Sequence, residues 1–351
     1  MFGLWAALFS GCYVLQQGAA MLGYLNQAVP LEALVEEPHT EEDALFVERV
    51  HSIRRFALAE LGLERNENYT KYVEIDRPYL ATVVSASAKD SFARHEWWFP
   101  VTGSVPYKGF FDEKDAFTEA ESLKEKGLDV WVRRVEAFST LGWFSDPLYS
   151  YMKAYPVHRL SELLIHEQLH ATVYLKGESR FNEELAQFVG REGSRLYMEK
   201  TFGADSVEYK RMMDERADSA VYISFMRELV AELEGLYAEY ADAFAEDAKA
   251  EVLRKKEEII QAAQGKFEEN YDELFLGESY RKLKLPVNNA FFELYRLYHT
   301  GGRYLEDFYE KSGEDLKLFV SAAKTLKAGG DVRSRFAEAL GISGGLSGEA
   351  D

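Results

Sequence analysis

The stretch HRLSELLIHEQLHATVYLKGESRFNEELAQFVGREG, residues 158–193, contains two amphipathic runs separated by a short break at Gly177. Its apolar residues recur at helical spacing, which predicts helices over 158–176 and 181–196. Two helices joined by so short a turn can run antiparallel. Inside the first run stands His166-Glu167-Gln168-Leu169-His170, an HExxH pattern. Positions i and i+4 share a helix face, so both imidazoles can bind one Zn²⁺. Glu167 then projects beside the metal, where it can take a proton from zinc-bound water and deliver it to a leaving amine. Zinc lowers the pKa of that water to ~7. A third protein ligand is needed, with one position left open. The second run opens with Phe181-Asn182-Glu183-Glu184-Leu185-Ala186, and an antiparallel return brings Glu183 or Glu184 toward the metal. Either carboxylate completes a His₂Glu set, which is catalytic rather than structural in type. The competing reading is two stacked histidines on a surface helix, with Glu183 favoured in a first turn by the helix dipole. It does not account for the apolar helix around the motif or for the Asn-Glu pair downstream.

The flanking chain divides by periodicity. Residues 40–62 read as a helix, with Thr40 and Asp43 at capping-box spacing and a stripe of Leu45, Val50, Ile53, Phe56 and Leu61. Strand patterns follow at 71–75, 80–86, 96–102 and 129–138, interrupted by a helix from Asp115 to Lys126 that Gly127 ends. Residues 206–282 read as a long helical hairpin whose charged face is solvated. The Gly/Ser-rich stretch 341–351 reads as a disordered tail. No internal repeat is found. The expected fold class is α+β: a small amino-terminal mixed sheet, then a mainly helical core with a long helical hairpin. The expected organisation is a signal or anchor segment over 1–24 and one domain over 25–340, extended by helices at about 206–282.

Composition narrows the function. The chain has 351 residues, enough for a sizeable core, and 47% are hydrophobic. Its net charge of −19, with no block of Lys or Arg, argues against nucleic-acid binding and against a basic membrane-binding face. A single cysteine excludes an intrachain disulfide framework and a Cys-rich metal site.

That cysteine, Cys12, follows the apolar run MFGLWAALFSG, and no charged side chain appears before Glu32. Small residues before a cysteine resemble a bacterial lipoprotein signal, in which the cysteine is lipidated and tethers the chain. Two features depart from the pattern: no Lys or Arg precedes Cys12, and Phe9 stands where Leu is usual. The alternative is an uncleaved anchor over 1–24, which is long enough to span a bilayer despite Gln16 and Gln17. Either way the expected location is the bacterial cell envelope, membrane-anchored and facing the periplasm.

HExxH followed by Asn-Glu-x-x-Ala resembles the gluzincin metallopeptidases, whose third ligand is the Glu of the second motif, here Glu183. More narrowly, STLGWFSDPL (139–148), residues 163–193, WWFPVTGSVPYKGFF (97–111) and LPVNNAFF (285–292) resemble the bacterial family of predicted aminopeptidases. Gly11-Cys12 and Gly23-Tyr24-Leu25-Asn26-Gln27 are similar to that family's lipoprotein start, and the resemblance covers about residues 11–325. It implies one Zn²⁺ per chain on His166, His170 and Glu183, with Glu167 as general base and a peptide as substrate. It favours Glu183 over Glu184, because the residue after the ligand Glu is commonly not acidic in that family.

Further parts are expected from chemistry. An oxyanion donor is needed, and Tyr298 and His299 are candidates, against core packing for Tyr298. The strand ending at Phe138-Ser139-Thr140-Leu141 is a candidate peptide-binding edge, against an ordinary core strand. Gln187, four residues after Glu183, is a candidate to orient an imidazole. His39, His51, His95 and His158 lack ligand spacing. Two function classes result: a zinc peptidase, aminopeptidase or endopeptidase, and a non-hydrolytic envelope protein that keeps a zinc site. An intact Glu167 favours the enzyme, since a structural site does not need it.

Overall fold

The structure, a computed structural model, describes residues 13, 16–36, 38–99, 103–136, 146–241, 246–282, 288–298 and 303–342. In chain order the elements are α1 over residues 16–26, β1 (Val29–Pro30), α2 (Glu41–Ala59), β2 (Lys71–Val73), β3 (Ala81–Ser87), β4 (Trp97–Phe99), β5 (Gly103–Val105), β6 (Lys108–Phe110), α3 (Glu113–Glu125), β7 (Asp129–Val135) and β8 (Leu148–Tyr149). Helices follow: α4 (Val157–Thr172), α5 (Ser179–Phe202), α6 (Val207–Glu239), α7 (Glu246–Glu269), α8 (Tyr271–Leu274), α9 (Asn289–Tyr298), α10 (Arg303–Lys311), α11 (Leu316–Ala323) and α12 (Val332–Ala339). The fold is α+β. Its residues gather into two compact units, one of residues 1–26, 77–139 and 211–300, the other of 27–76, 140–210 and 301–351.

The first unit is built on β3, which pairs antiparallel with β6 and β7. All seven β3 residues are buried, and α3 and α9 both pack against the strand. Successive strand residues point to opposite faces. Val130 of β7 accordingly joins Ala116, Ala120 and Leu123 of α3, while Trp131 joins the aromatic core under α9. That core is shared by Met226, Leu229 and Leu233 of α6 and by Val252, Ile260 and Phe267 of α7, which makes a hairpin of the two helices. The Asn-Asn pair of LPVNNAFF is structural here. The Asn288 amide donates to Val130 O at 2.9 Å, and Asn289 donates to Ala88 and Ser91 carbonyls and accepts from Tyr237. The chain just after Cys12 also belongs to this unit. Tyr13 stacks on Phe99, and Gln17, buried, accepts the Phe111 N–H at 2.9 Å.

The second unit contains a three-stranded sheet in the order β1-β2-β8, with β8 parallel to β2. Thus 71–75 and 80–86, adjacent in sequence, contribute to separate sheets. Helix α2 begins at the expected capping box: Thr40 Oγ1 accepts the Asp43 N–H, and the Asp43 carboxylate accepts the Thr40 N–H. Its buried stripe is Phe46, Val50, Ile53 and Ala57, at spacings of four, three and four, and Leu45 is exposed. Helices α4 and α5 form the centre. Phe188 and Phe181 of α5 meet Tyr309, Phe319 and Phe336 of the last three helices, which cover α5 from the outside. Each such ring contributes about 1.5–3 kcal/mol when fully buried.

Among the described residues no helix is long and apolar enough to cross a membrane. Cys12, most of 1–15, the segment 138–141 and the tail 343–351 lie outside the described residues.

Candidate metal centre

The pairing of α4 with α5 places every residue of the centre. Contacts between the two run in opposite order along the chain. Ser161 meets Ser194 at 2.8 Å, Glu162 and His166 lie against Gly190, and His170 meets Glu183. The turn between them is pinned by Asn182. Its buried amide accepts the Leu175 N–H at 3.0 Å and donates to the Leu175 carbonyl at 2.8 Å. Gly177 supplies the left-handed backbone in that turn, with φ of 88°. Asn182 therefore fixes the start of α5, and with it Glu183.

Close approach is set by glycine. A Cβ on Gly190 would lie 3.0 Å from both the Glu162 carbonyl oxygen and the His166 Cβ. Gly190→Ala should therefore push α5 off α4 at His166. We expect metal affinity to fall by roughly the 10–100-fold typical of losing an orienting contact, with a loss of ~1–3 kcal/mol from overpacking. Metal titration and thermal melts check this. A variant that melts higher with unchanged affinity would show that helix propensity outweighs the clash.

Three ligand atoms converge. His166 Nε2 and His170 Nε2 are 3.1 Å apart, Glu183 Oε1 is 3.3 Å from His170 Nε2, and Glu183 Oε2 is 3.8 Å from His166 Nε2. In a tetrahedral site with metal–ligand distances of ~2.0–2.1 Å, neighbouring ligand atoms stand about 3.3 Å apart. With one atom taken from each residue the trio lies within 4.8 Å, somewhat wider than that spacing, and two imidazoles with a carboxylate suit a divalent first-row ion. Glu184 is directed elsewhere, since its carboxylate accepts from Arg180 Nε at 2.8 Å and the Tyr304 hydroxyl at 2.9 Å.

The two imidazoles are shifted in opposite directions. Burial, then the charge of His170, pushes the His166 pKa down, which leaves its Nε2 lone pair free. The charge of Glu183 and the Ala186 backbone act in the opposite direction but are outweighed. Burial lowers the His170 pKa, but the hydrogen bond and charge of Glu183 raise it further, and the net direction is up. The same hydrogen bond from His170 holds the Glu183 carboxyl below its ordinary value. Glu167, one residue from His166, is pushed up to about 7, first by burial and then by the charges of Asp146 and Glu183 against His170. Such a group can exchange a proton near neutrality.

Other expected participants are not brought here. The Gln187 side chain is exposed. Tyr298 ends α9, with its side chain outside those described, and His299 lies outside the described residues. Sequence reasoning missed Gly190, although a glycine inside a helix is a readable sign of close approach.

The family model described as "Putative aminopeptidase" matches residues 12–337 of the chain. No curated protein and no solved structure matches it.

Proposed function

The chain belongs to that aminopeptidase family, and from this premise we propose that it is a zinc-dependent peptide hydrolase of gluzincin type that acts on free amino termini. The observation that carries the reading is the convergence of His166, His170 and Glu183 beside Glu167. A zinc ion held by the trio would supply a Lewis acid and bring a water to a pKa of ~7. The remaining work falls to side chains. Glu183 brings a negative charge to the ligand set, and the close approach at Gly190 holds α5 against His166. Glu167 takes the proton of the attacking water and hands it to the leaving amine, a transfer suited to a buried carboxylate whose pKa lies near neutrality.

The same proposal includes a lipid tether on Cys12 in the bacterial envelope. Support comes from Tyr13 and Gln17, which pack into the first unit directly after that cysteine. A bilayer span over 1–24 would pull both out of the fold, whereas a lipid on Cys12 leaves them in place. Cys12→Ser should release the protein from cell membranes; an unchanged membrane fraction would favour an uncleaved anchor.

The activity is tested with zinc-loaded protein and a library of short peptides with free and blocked amino termini. Cleavage confined to the free set is expected. Equal cleavage of both sets would make the enzyme an endopeptidase, and no cleavage of either would remove the hydrolase reading.

A further inference from the structure

We propose that Trp98 and Tyr107 form a bilayer-contact surface beside the tether, seated in the lipid headgroup region. The inference rests on the tether at Cys12 and names the surface that the tether holds against the membrane.

Tyr13, the residue after Cys12, fixes where the tether leaves the first unit. Its ring stacks on Phe99 at 5.4 Å and meets Phe110 edge-on at 5.5 Å. The Lys108 ammonium lies 4.8 Å from the ring centroid, and the Tyr13 hydroxyl donates to the Gly109 carbonyl. Consecutive Cα atoms are ~3.8 Å apart, so Cys12 is one such step from this anchored residue.

The residues next to those contacts face out. Strands β4 and β5 pair antiparallel, with Trp97 opposite Val105, Trp98 opposite Ser104 and Phe99 opposite Gly103. Trp97, Phe99 and Val105 form the inner face and pack into the core that α3 shares with β7. The Trp97 indole N–H donates to Glu119 of α3 at 2.8 Å, which fixes that face. Successive strand residues point to opposite sides, so Trp98 is turned outward, and it is 60% exposed. Tyr107, next to Lys108, is 38% exposed. Each of these aromatics therefore stands one residue from a side chain that touches Tyr13. A lone exposed ring needs no explanation, but two beside the same tethered residue call for one. Trp and Tyr collect at membrane–water interfaces, where an apolar ring with a polar edge suits the headgroup region.

Charge points to the same occupant. The chain carries a net charge of −19, and an anionic leaflet repels an acidic protein. The surroundings of the tether escape that repulsion. No charged side chain occurs before Glu32, and the exposed residues of α1 are Gln16, Gly18, Ala19, Leu22 and Asn26. Glu119 neutralises the Lys108 cation beside Tyr13 at 2.9 Å. A single acyl chain binds membranes only marginally, and a second contact makes the attachment stable. Trp98 and Tyr107 supply that contact.

The test uses the full chain isolated from membranes with its lipid, reconstituted into phosphatidylcholine vesicles with or without bromine on the acyl carbons nearest the headgroup. Trp98 emission is read as the difference between wild type and Trp98→Phe. It should be largely lost in the brominated vesicles, with melting temperature and membrane fraction the same in both proteins. Tyr107→Trp in the Trp98→Phe background should restore a quenched signal. Leu276→Trp in that background should not. Leu276 is 70% exposed, but its N–H is held by Asp218 of α6, on the opposite face of the β3 sheet. An unquenched Trp98 signal would overturn the assignment, as would equal quenching of Leu276→Trp. Should Trp98→Phe fail to fold, Tyr107→Trp alone must raise the quenched signal, and no rise would overturn it. Cys12→Ser, run in parallel, separates the two readings. Release of Cys12→Ser from membranes, with Trp98 unquenched in the lipidated protein, keeps the tether and removes the surface. Retention of Cys12→Ser with Trp98 quenched removes the lipid tether and keeps the surface.

Discussion

Glu167→Gln should leave zinc binding nearly intact while hydrolysis falls by ~10²–10⁴-fold, the usual cost of losing a positioned acid–base group. The two effects separate because Glu167 shares a helix with His166 and His170 but lies outside the trio of converging ligand atoms. Glutamine fills the same volume and keeps a hydrogen-bonding oxygen, so α4 should not shift. It cannot accept the proton of an attacking water, and it has no proton to give a departing amine. The loss should appear in kcat, with KM little changed, because the interaction is made in the transition state. A variant with wild-type kcat would remove Glu167 from the chemistry.

Glu183→Gln should behave differently, with metal affinity and activity falling together. Losing a partner that only orients a ligand typically costs 10–100-fold in affinity. Removal of a charged ligand should cost at least ~10²-fold, because the ion also loses a countercharge. The carboxylate is also tied to the electrostatics of the pair. It hydrogen-bonds His170 and is itself held ionised by that contact. Glu184→Gln is the control. Its carboxylate is held by Arg180 and Tyr304, so zinc affinity should change far less. Similar zinc loss in both variants would place the third ligand elsewhere.

The two central helices were legible because period 3.6 is a local property, and 158–193 shows it twice. Their ends were less so. Helix α4 stops at Thr172, where Val173 turns extended (φ −132°, ψ 112°), although Val173-Tyr174-Leu175 continues the apolar pattern. The Asn182 clip on Leu175 decides that boundary, and it depends on a residue from the next helix. Strand partners were harder still. Nothing local in 71–75 and 80–86 says that β2 pairs with β8 while β3 pairs with β6 and β7, because pairing is settled by distant segments. In α2 the expected stripe holds at Val50, Ile53 and Leu61, which are buried, and differs at its start, where Leu45 is exposed and Phe46 is buried instead. The site divides the same way. His166, Glu167, His170 and Glu183 are near one another in sequence and could be read together. The backbone of Glu64 reaches Gln168 and Thr172 of α4 from a remote loop, and only the folded chain brings it there.

The most direct measurement is the metal content of the purified full chain, wild type against a His166→Ala, His170→Ala double variant, by elemental analysis after equal exposure to zinc. About one zinc per chain in the wild type and none in the double variant is the predicted result. Zinc at full occupancy in the double variant would contradict the site, and with it the mechanism built on His166, His170 and Glu183.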